Sequence, residues 1–433
     1  MPLLTALILT VLLISVISNA FVNVYAQQNG NRIEHVVIIV KENHSFDNYF
    51  GAFGHGAEGD PSLAVYNGIY VNETVIPNLW HLAEQYVLCD HMYTSSPDMS
   101  FPNHFYLIAA WTPYPHAPEG VHNWSTAGYW PSRLTLPDLL NARGLSWRVY
   151  SWGKYGPYFP LVMTHARGII KGHWFPASQF ISDVEKGILA NVTWVTDTDS
   201  ITDHPPHNIT VADELTGEEV RAVMNSPYWK STVIFIVEDD WGRFKDHLNI
   251  DVPEYHDGII QEWHRVPCII VSPFVKKGYI DHEFHEFTSI VKFVETVFGL
   301  PSINQRDFLS DYFLEAFNES SLMLPSPPRF FLQDFWTGKN VTGLLDGWLS
   351  INVTQTVTQP TTETKTQTST TTVTISETST TTLTQTSPTV ATETETITHI
   401  VEGISTDVFV VTVGVLSAII IIFSALARKK GAS

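Results

Sequence analysis

Two apolar runs in this chain end abruptly in carboxylate and amide side chains. The runs are His35–Val40 and Thr232–Val237, and both are rich in β-branched residues. Such runs are typical of strands buried on both faces of a parallel sheet, and ligands gather where the carboxyl ends of those strands meet. The polar residues that follow the two runs are Glu42, Asn43, Glu238, Asp239 and Asp240. Adjacent carboxylates repel one another unless a cation neutralises them, so the pattern fits either a cation site or solvated turns that cap the strands.

A serine stands where a helix is predicted to begin. Ser100 precedes Phe101-Pro102-Asn103-His104 and an apolar stretch. A hydroxyl at a helix N-terminus lies in the positive field of the helix dipole, beside free backbone N–H groups that can hold phosphate oxygens. A serine at this position also commonly serves only as an N-cap. The residues alone leave both roles open for Ser100.

Two histidine segments are further candidates. One is Asp203-His204-Pro205-Pro206-His207, and the other runs from Ile280 to Ser289 and contains His282. A single histidine is more often structural than catalytic. General-acid catalysis nevertheless needs a proton donor near neutrality, which an imidazole can supply.

The segment HVVIIVKENHSFDNYFG, His35–Gly51, resembles the signature of a phosphoesterase family that includes bacterial phosphocholine-type phospholipases C and a group of acid phosphatases. This family is similar to the alkaline-phosphatase-like superfamily. Segments that resemble the later family motifs follow in the expected order, and they are Thr94–Ala110, Asp203–His207, Ser231–His247 and Ile280–Ser289. Two positions depart from the family pattern, because Arg243 replaces a glycine and Phe287 replaces a histidine.

The resemblance implies roles for individual residues. It makes Ser100 the nucleophile, in preference to Ser95 and Ser96, and it makes Asn103 and His104 substrate-binding residues. It makes His204 and His282 catalytic candidates, either of which would protonate the leaving oxygen. The metal ligands that it implies are Glu42, Asn43, Ser100, Asp239 and Asp240. An all-oxygen shell of this kind favours a hard divalent cation such as Ca²⁺, Mg²⁺ or Mn²⁺ over Zn²⁺.

The implied function is metal-dependent hydrolysis of phosphate esters through a phosphoserine intermediate, of the acid phosphatase or the phospholipase C type. The substrate would be a small phosphate ester or a phospholipid head group. A catalytically silent surface or adhesion protein that kept the fold is the alternative. The formal net charge of −20 argues against a nucleic-acid partner, because phosphate backbones require a basic surface.

The order of predicted elements indicates an α/β fold, a three-layer sandwich with a mostly parallel central sheet that is alkaline-phosphatase-like, over residues 31–336. The further predicted strands are Ser146–Tyr150, Val192–Val195 and Val266–Ser272, and the predicted helices are Leu136–Ala142, Ala212–Met224 and Ser289–Phe298. Thr288 is predicted to cap the last helix. Cys89 and Cys268 lie in apolar surroundings, which favours buried free thiols, with a disulfide as the alternative.

Both ends of the chain are apolar, which predicts a membrane-tethered surface protein. Residues 1–26 resemble a signal peptide, although no basic residue precedes the apolar stretch, so an uncleaved anchor is the alternative. A connector, 337–351, leads to a Thr-rich stalk at 352–399 that is predicted to be disordered and glycosylated. One transmembrane helix is predicted at 408–427, followed by a basic cytoplasmic tail at 428–433, which places the body outside the cell.

Overall fold

The structure is a computed structural model of the chain. The ranges that it describes are 32–97, 100–112, 133–151, 171–198, 200–253, 260–318, 324–335 and 337–341, with the backbone of 353–360 and 366–373. The predicted signal peptide, the transmembrane helix and the basic tail lie outside the described residues. No helix within the described ranges is long and apolar enough to cross a membrane.

The centre of the described body is a sheet of eight strands. Its strands, in chain order, are β1 (His35–Lys41), β4 (Val87–Cys89), β6 (Trp147–Ser151), β7 (Trp174–Pro176), β8 (Val192–Thr196), β9 (Thr232–Glu238), β12 (Cys268–Val271) and β13 (Tyr279–Asp281). The order across the sheet is β13-β4-β12-β9-β1-β8-β6-β7. Only β12 runs antiparallel to its neighbours, so the prediction of a mostly parallel sheet is confirmed.

Shorter strands lie outside this sheet. They are β2 (Val65–Tyr66) paired with β3 (Ile69–Tyr70), β5 (Met92–Tyr93) paired with β14 (His285–Glu286), and β10 (Ile250–Pro253) paired with β11 (Ile260–Trp263).

Helices cover both faces of the sheet. They are α1 (Phe46–Phe50), α2 (Pro77–Gln85), α3 (Ser100–Ala109), α4 (Leu136–Ala142), α5 (Phe180–Glu185), α6 (Ile209–Met224), α7 (Phe287–Phe298) and α8 (Gln305–Leu309). Side chains of α2, α5 and α6 join the apolar cluster on the face that carries Val37 and Ile236. On the opposite face, Phe235 contacts Phe293 of α7, with ring centroids 5.1 Å apart. This arrangement confirms a layer of helices on each side of the sheet.

The last predicted helix begins earlier than expected. It starts at Phe287, and its N-cap is Glu286 rather than Thr288. The prediction of Thr288 as the cap is wrong because Glu286 and Ser289 form a reciprocal capping box that fixes the start two residues earlier. The helix ends as predicted at Gly299, which has a left-handed φ of 61°.

The Thr-rich region forms part of a separate unit, residues 350–433. Within it, the strands at 353–360 and 366–373 pair in antiparallel register, from Val353 opposite Val373 to Pro360 opposite Thr366. The prediction of a stalk without regular structure is therefore wrong for these two stretches. Threonine is β-branched and favours extended strands, whereas the prediction of disorder considered only the low content of apolar residues.

Candidate active site

The three central strands of the sheet deliver the predicted site residues to one edge. β1 pairs in parallel with β9, with Lys41 opposite Glu238, and β8 pairs in parallel with the other side of β1. The residues that follow these strands therefore emerge side by side at the carboxyl edge. Glu42 and Asn43 follow β1, whereas Asp239 and Asp240 follow β9.

Ser100 lies in the middle of these four side chains. Its Oγ is 3.0 Å from Asp240 Oδ2, 3.1 Å from Asn43 Oδ1 and 3.4 Å from Glu42 Oε2. Ser100 is the first residue of α3, and its side chain is only partly buried. We call Glu42, Asn43, Ser100, Asp239 and Asp240 the Ser100 group. The structure thus brings together all five residues that were predicted to bind a metal ion.

Two residues with left-handed backbone conformations shape this edge. Asn43 has a φ of 70° and Gly242 has a φ of 60°. A Cβ atom on Gly242 would lie 2.0 Å from the backbone oxygen of Asn43, so only glycine fits there. The N–H of Gly242 also donates to Asp240 Oδ1 at 2.7 Å. The two loops are therefore packed backbone against backbone, which fixes the positions of the carboxylates.

Burial raises the pKa of every carboxyl group in the Ser100 group. The pKa of Glu42 is raised well above its usual range by burial and then by repulsion from Asp239. The pKa of Asp240 is raised to about 7 by the same two causes, and burial raises the pKa of Asp239 to about 7 against the hydrogen bond from Ser100. Buried carboxylates in this state require either protons or a cation.

The amide of Asn43 also bears on whether protons or a cation neutralise these carboxylates. In one orientation its Oδ1 lies among acceptors, 2.9 Å from Asp239 Oδ1 and 3.0 Å from both carboxylate oxygens of Asp240. Acceptors that face one another in this way need a proton or a cation between them, or else the amide turns over. Turned by half a rotation, the amide nitrogen would donate to the two carboxylates, and the oxygen would accept from His204 Nε2 at 3.0 Å. The donor set of oxygen atoms fits a hard divalent cation in the first orientation.

Asn103 and His104 lie behind the Ser100 group and are fully buried. Asn103 Oδ1 accepts from the backbone N–H of Ser96 at 2.8 Å, which holds the segment that leads into α3. His104 Nε2 lies 3.2 Å from Asp239 Oδ2. Burial lowers the pKa of His104 to about 3, so its neutral ring donates a hydrogen bond that orients Asp239. These contacts support positioning roles rather than the predicted contact with substrate.

The two predicted proton donors are separated in the structure. His204 is exposed at the open side of the Ser100 group, with its Nε2 beside the amide of Asn43. His282 instead places its Nδ1 2.9 Å from Asp90 Oδ1, and its ring lies beside that of His91. Within the described residues, the structure does not bring His282 to the Ser100 group, so its proposed catalytic role has no geometric support there.

The residues around Phe287 do not replace the histidine that the family carries at that position. Phe287 is fully buried, and its N–H donates to Ser95 Oγ. Ser95 Oγ in turn donates to Glu286 Oε2 at 2.7 Å, and Glu286 is paired with Arg306. Ser95 is thus held in a structural network, which is consistent with Ser100 as the better nucleophile.

Sequence reasoning missed the ion pairs that support Glu42. Lys41, at the end of β1, is buried and donates to Asp197 Oδ1 at 3.0 Å, and it lies 3.3 Å from Asp203 Oδ2. Asp203 Oδ1 accepts the backbone N–H of Glu42, and Asp203 Oδ2 accepts from Tyr49 Oη. A lysine at the end of an apolar strand was the available signal, because such a cation is buried only with partners.

A second set of buried carboxylates was also missed. Arg265 is fully buried and contacts Asp47 Oδ1 at 3.0 Å and Asp246 Oδ1 at 2.9 Å. His247 Nδ1 lies 2.6 Å from Asp47 Oδ2. We call Asp47, Asp246, His247 and Arg265 the Arg265 group. It ties the loop after β1 to the loop after β9, and both loops also supply the Ser100 group.

Comparison with known proteins gives the class to which this fold and site belong. The model of the Phosphoesterase family matches residues 33–75 and 66–301, which is more than half of the chain. The chain belongs to this family.

Curated relatives of the chain are phospholipases C by name. Non-hemolytic phospholipase C of Burkholderia pseudomallei (strain K96243) is 23% identical over 390 residues, covering 62% of this chain and 55% of that protein. Non-specific phospholipase C1 of Arabidopsis thaliana is 27% identical over 272 residues, covering 56% of this chain and 50% of that protein. The chain thus spans about half the length of these relatives.

Among solved structures, a protein of the alkaline phosphatase superfamily from Vibrio parahaemolyticus matches with a TM-score of 0.42 and 13% identity, covering 67% of this chain and 72% of that one. A structural similarity at this TM-score does not support a conclusion about the site.

Proposed function

We propose that this protein hydrolyses phosphate esters with Ser100 as the nucleophile. The observation that carries the proposal is the position of Ser100 Oγ, 3.0–3.4 Å from side-chain oxygens of Asp240, Asn43 and Glu42. A hydroxyl that only capped a helix would have no need for these neighbours. The position at the first turn of α3 also places backbone N–H groups where phosphate oxygens can bind.

The residues of the Ser100 group would hold a hard divalent cation, Ca²⁺, Mg²⁺ or Mn²⁺ in preference to Zn²⁺. Such a cation, when bound, lowers the pKa of a nearby hydroxyl and offsets negative charge on phosphate oxygens. Membership of the Phosphoesterase family supports the proposal, as does the set of carboxylate and amide oxygens that face one another.

The covalent steps follow from the positions of the side chains. The Ser100 hydroxyl gives up its proton, for which Asp240 Oδ2 is the nearest acceptor, and Oγ bonds to phosphorus. The bond between phosphorus and the leaving oxygen breaks, and that oxygen takes a proton from His204 Nε2 on the open side of the group. A water molecule then attacks the phosphoserine and gives a proton to His204, while the proton on Asp240 returns to Ser100 Oγ. The product is phosphate from a monoester or the phosphorylated head group from a diester.

The substrate is proposed to be a small phosphate ester or a phospholipid head group. The names of the curated relatives support the phospholipid, because each is a phospholipase C. A silent surface protein is the weaker alternative, since it would have no reason to hold five polar side chains on one point at strand ends. A monoester and a diester are therefore both needed in the assay.

We also propose that the body acts at the cell surface, tethered through the apolar stretch at 408–427. The support is a mostly apolar stretch of 20 residues followed by Arg428, Lys429 and Lys430. Protease treatment of intact cells should release a soluble, active fragment. Retention of all activity inside protease-treated cells would contradict this location.

The decisive experiment replaces the nucleophile. Ser100→Ala should lower kcat for p-nitrophenyl phosphate or p-nitrophenyl phosphorylcholine by about three orders of magnitude or more, because the bond to phosphorus cannot form. Ser96→Ala is the matched control, since Ser96 is a buried serine four residues earlier. An active Ser100→Ala protein that is only less stable, by about 1 kcal/mol, would show that Ser100 serves only to stabilise the start of α3.

A further inference from the structure

Three neighbouring strands place two cysteines and an aspartate in one row on the sheet. Cys89, the last residue of β4, pairs directly with Cys268 on one side and with Asp281 on the other. Directly paired residues of adjacent strands point to the same face of a sheet, with Cβ atoms of an antiparallel pair about 4.5–5.5 Å apart. The face is that of α7, because Leu88, Ile269 and Ile280 point into the opposite cluster.

A histidine reaches over the same row. His285, the first residue of β14, has its Nε2 3.4 Å from Asp281 Oδ2. The Cys89 sulfur, a carboxylate oxygen of Asp281 and a ring nitrogen of His285 all lie within 4.8 Å of one another. Two ligands that are each about 2.1 Å from a tetrahedral zinc ion would be about 3.4 Å apart. The spacing of the nitrogen and the oxygen is thus that of two ligands of one zinc ion.

These side chains are buried, and their facing atoms lack hydrogen bonds. Cys89, Cys268 and Asp281 are 0% exposed and His285 is 1% exposed. Within the described residues, Asp281 Oδ2 and both ring nitrogens of His285 lack a hydrogen bond of good geometry, although Nε2 lies within ion-pair distance of Asp281 and Nδ1 within ion-pair distance of Asp311. Buried polar atoms without partners are costly and rare, so their convergence points to a bound ion.

The surroundings hold the facing atoms in place. Asp281 Oδ1 accepts the backbone N–H of Glu283, which leaves Oδ2 directed at the row. His285 Nδ1 lies 3.0 Å from Asp311 Oδ2. A carboxylate on the far nitrogen of a metal-bound histidine fixes the tautomer and the ring orientation. Both supporting contacts are those expected around metal ligands.

We propose that Cys89, Cys268, Asp281 and His285, the Cys89 group, form a structural zinc site. Cys89, Asp281 and His285 bring their ligand atoms within 4.8 Å of one another, and Cys268, which pairs with Cys89 but lies outside that group of three, would turn its sulfur toward the ion as the fourth ligand. Thiolate, imidazole and carboxylate ligands of this kind select zinc over calcium or magnesium. The ion would join β4, β12 and β13 at one end of the sheet to the segment that leads into α7. It would differ from the cation of the Ser100 group in both chemistry and location.

Two states of the Cys89 group compete with bound zinc: a proton on His285, and a disulfide between Cys89 and Cys268. Burial lowers the pKa of His285, but contacts with Asp281 and Asp311 outweigh it and raise the pKa to about 9, so a proton could occupy the site instead. Both cysteines are free thiols in the structure, and an oxidant of the thiol–disulfide exchange type would be required to join them.

The test uses the full-length chain purified from zinc-containing medium. We expect one zinc per chain by mass spectrometry of the metal content. Replacement by Co²⁺ should give a thiolate-to-cobalt charge-transfer band and the visible absorption of a tetrahedral site, a readout independent of enzyme activity. The two thiols should resist alkylation until a chelator is added.

Substitutions test which residues bind the zinc ion. Cys89→Ser with Cys268→Ser should lose the zinc and the charge-transfer band, whereas Asp240→Asn in the Ser100 group should keep both. If the cysteine variant fails to fold, the cobalt spectrum of the unchanged chain still decides. Free thiols without zinc, a disulfide in the denatured chain, or zinc that is retained without the cysteines would each overturn the proposal.

Discussion

Two clusters of buried carboxylates draw on the same two segments of the chain, and they are neutralised differently. The segment after β1 supplies Glu42 to the Ser100 group and, from the first turn of α1, Asp47 to the Arg265 group. The loop after β9 supplies Asp240 to the first and Asp246 to the second. Within the Arg265 group the guanidinium contacts both aspartates at 2.9–3.0 Å. Within the described residues, the carboxylates of the Ser100 group contact a hydroxyl, an amide and imidazoles instead.

The electrostatics of the two clusters follow from this difference. Burial raises the pKa of Asp246, and the charge of Arg265 opposes part of that rise. Burial also raises the pKa of Asp240, and repulsion from Asp239 raises it further. A cluster that contains its own cation can serve to hold loops together. A cluster that lacks one is incomplete until it binds protons or a cation, which is the property of a ligand site.

The same substitution in each cluster should therefore have opposite consequences. Asp240→Asn should lower kcat/KM for the phosphate ester by about 10³-fold or more, because it removes an oxygen ligand and the nearest acceptor of the Ser100 proton. In the presence of a chelator, its melting temperature should equal or exceed that of the unchanged protein, since one buried like charge is gone. Enzyme assays and thermal melts of the same samples measure both effects.

Asp246→Asn is the matched control, six residues later in the same loop. It should lower stability by about 1–3 kcal/mol through the lost charged hydrogen bond to Arg265, with kcat/KM kept within a few-fold. The comparison fails if Asp246→Asn abolishes activity without loss of stability, or if Asp240→Asn leaves the rate unchanged.

Removal of the internal cation should be the largest effect on stability. Arg265→Met would leave Asp47 and Asp246 buried without their partner, at a cost of about 3–5 kcal/mol. Urea unfolding measures this loss. Arg265→Lys keeps the charge but not the planar fork of donors, so it should cost less. A Met variant as stable as the unchanged protein would show that the cluster does not depend on this arginine.

Glu42, Asn43, Asp239 and Asp240 could be predicted from the sequence because they follow recognisable strands, whereas the choice of Ser100 depended on the family resemblance. Parallel strands with polar residues at their carboxyl ends place those residues together whatever the details of the loops. Arg265 could not be predicted, since it lies 218 positions from Asp47 in a segment without a functional pattern. The pairing of Cys89 with Cys268 depends on the antiparallel direction of β12, which an apolar run does not reveal. His204 and His282 looked equivalent in sequence, and only the loop positions distinguish them.

A buried carboxyl group outside both clusters allows a test of how burial alone affects stability at different pH values. Glu219, on α6, is 4% exposed, and burial raises its pKa to about 8. The folded protein then binds a proton that the unfolded chain, with a glutamate pKa near 4.3, has lost, so stability falls as pH rises between these values.

Glu219→Gln removes this proton dependence. Relative to the unchanged protein, the variant should gain on the order of 4 kcal/mol between pH 5 and pH 9, seen as a rise of roughly 10 °C in melting temperature. Glu218→Gln, at the exposed neighbouring position, is the control and should show no such trend. A constant difference between Glu219→Gln and the unchanged protein at all pH values would mean that Glu219 is ionised in the fold.

The smallest predicted effect concerns Arg243, which occupies the family's glycine position in the loop shared by both clusters. Its φ of 63° lies in the left-handed region, which costs a residue with a side chain about 1–2 kcal/mol. Arg243→Gly should relieve that cost, but the greater freedom of glycine in the unfolded chain offsets part of it, so the expected net gain is about 0.5 kcal/mol. Arg243→Ala keeps the backbone strain and should show no gain.

If the exposed guanidinium also binds substrate phosphate, both variants should raise KM for p-nitrophenyl phosphate equally, because both lack the charge. The difference in stability between the Gly and Ala variants therefore measures the backbone alone, and their shared change in KM measures the cation alone. An Ala variant as stable as the Gly variant would show that the loop does not hold this residue in a strained conformation.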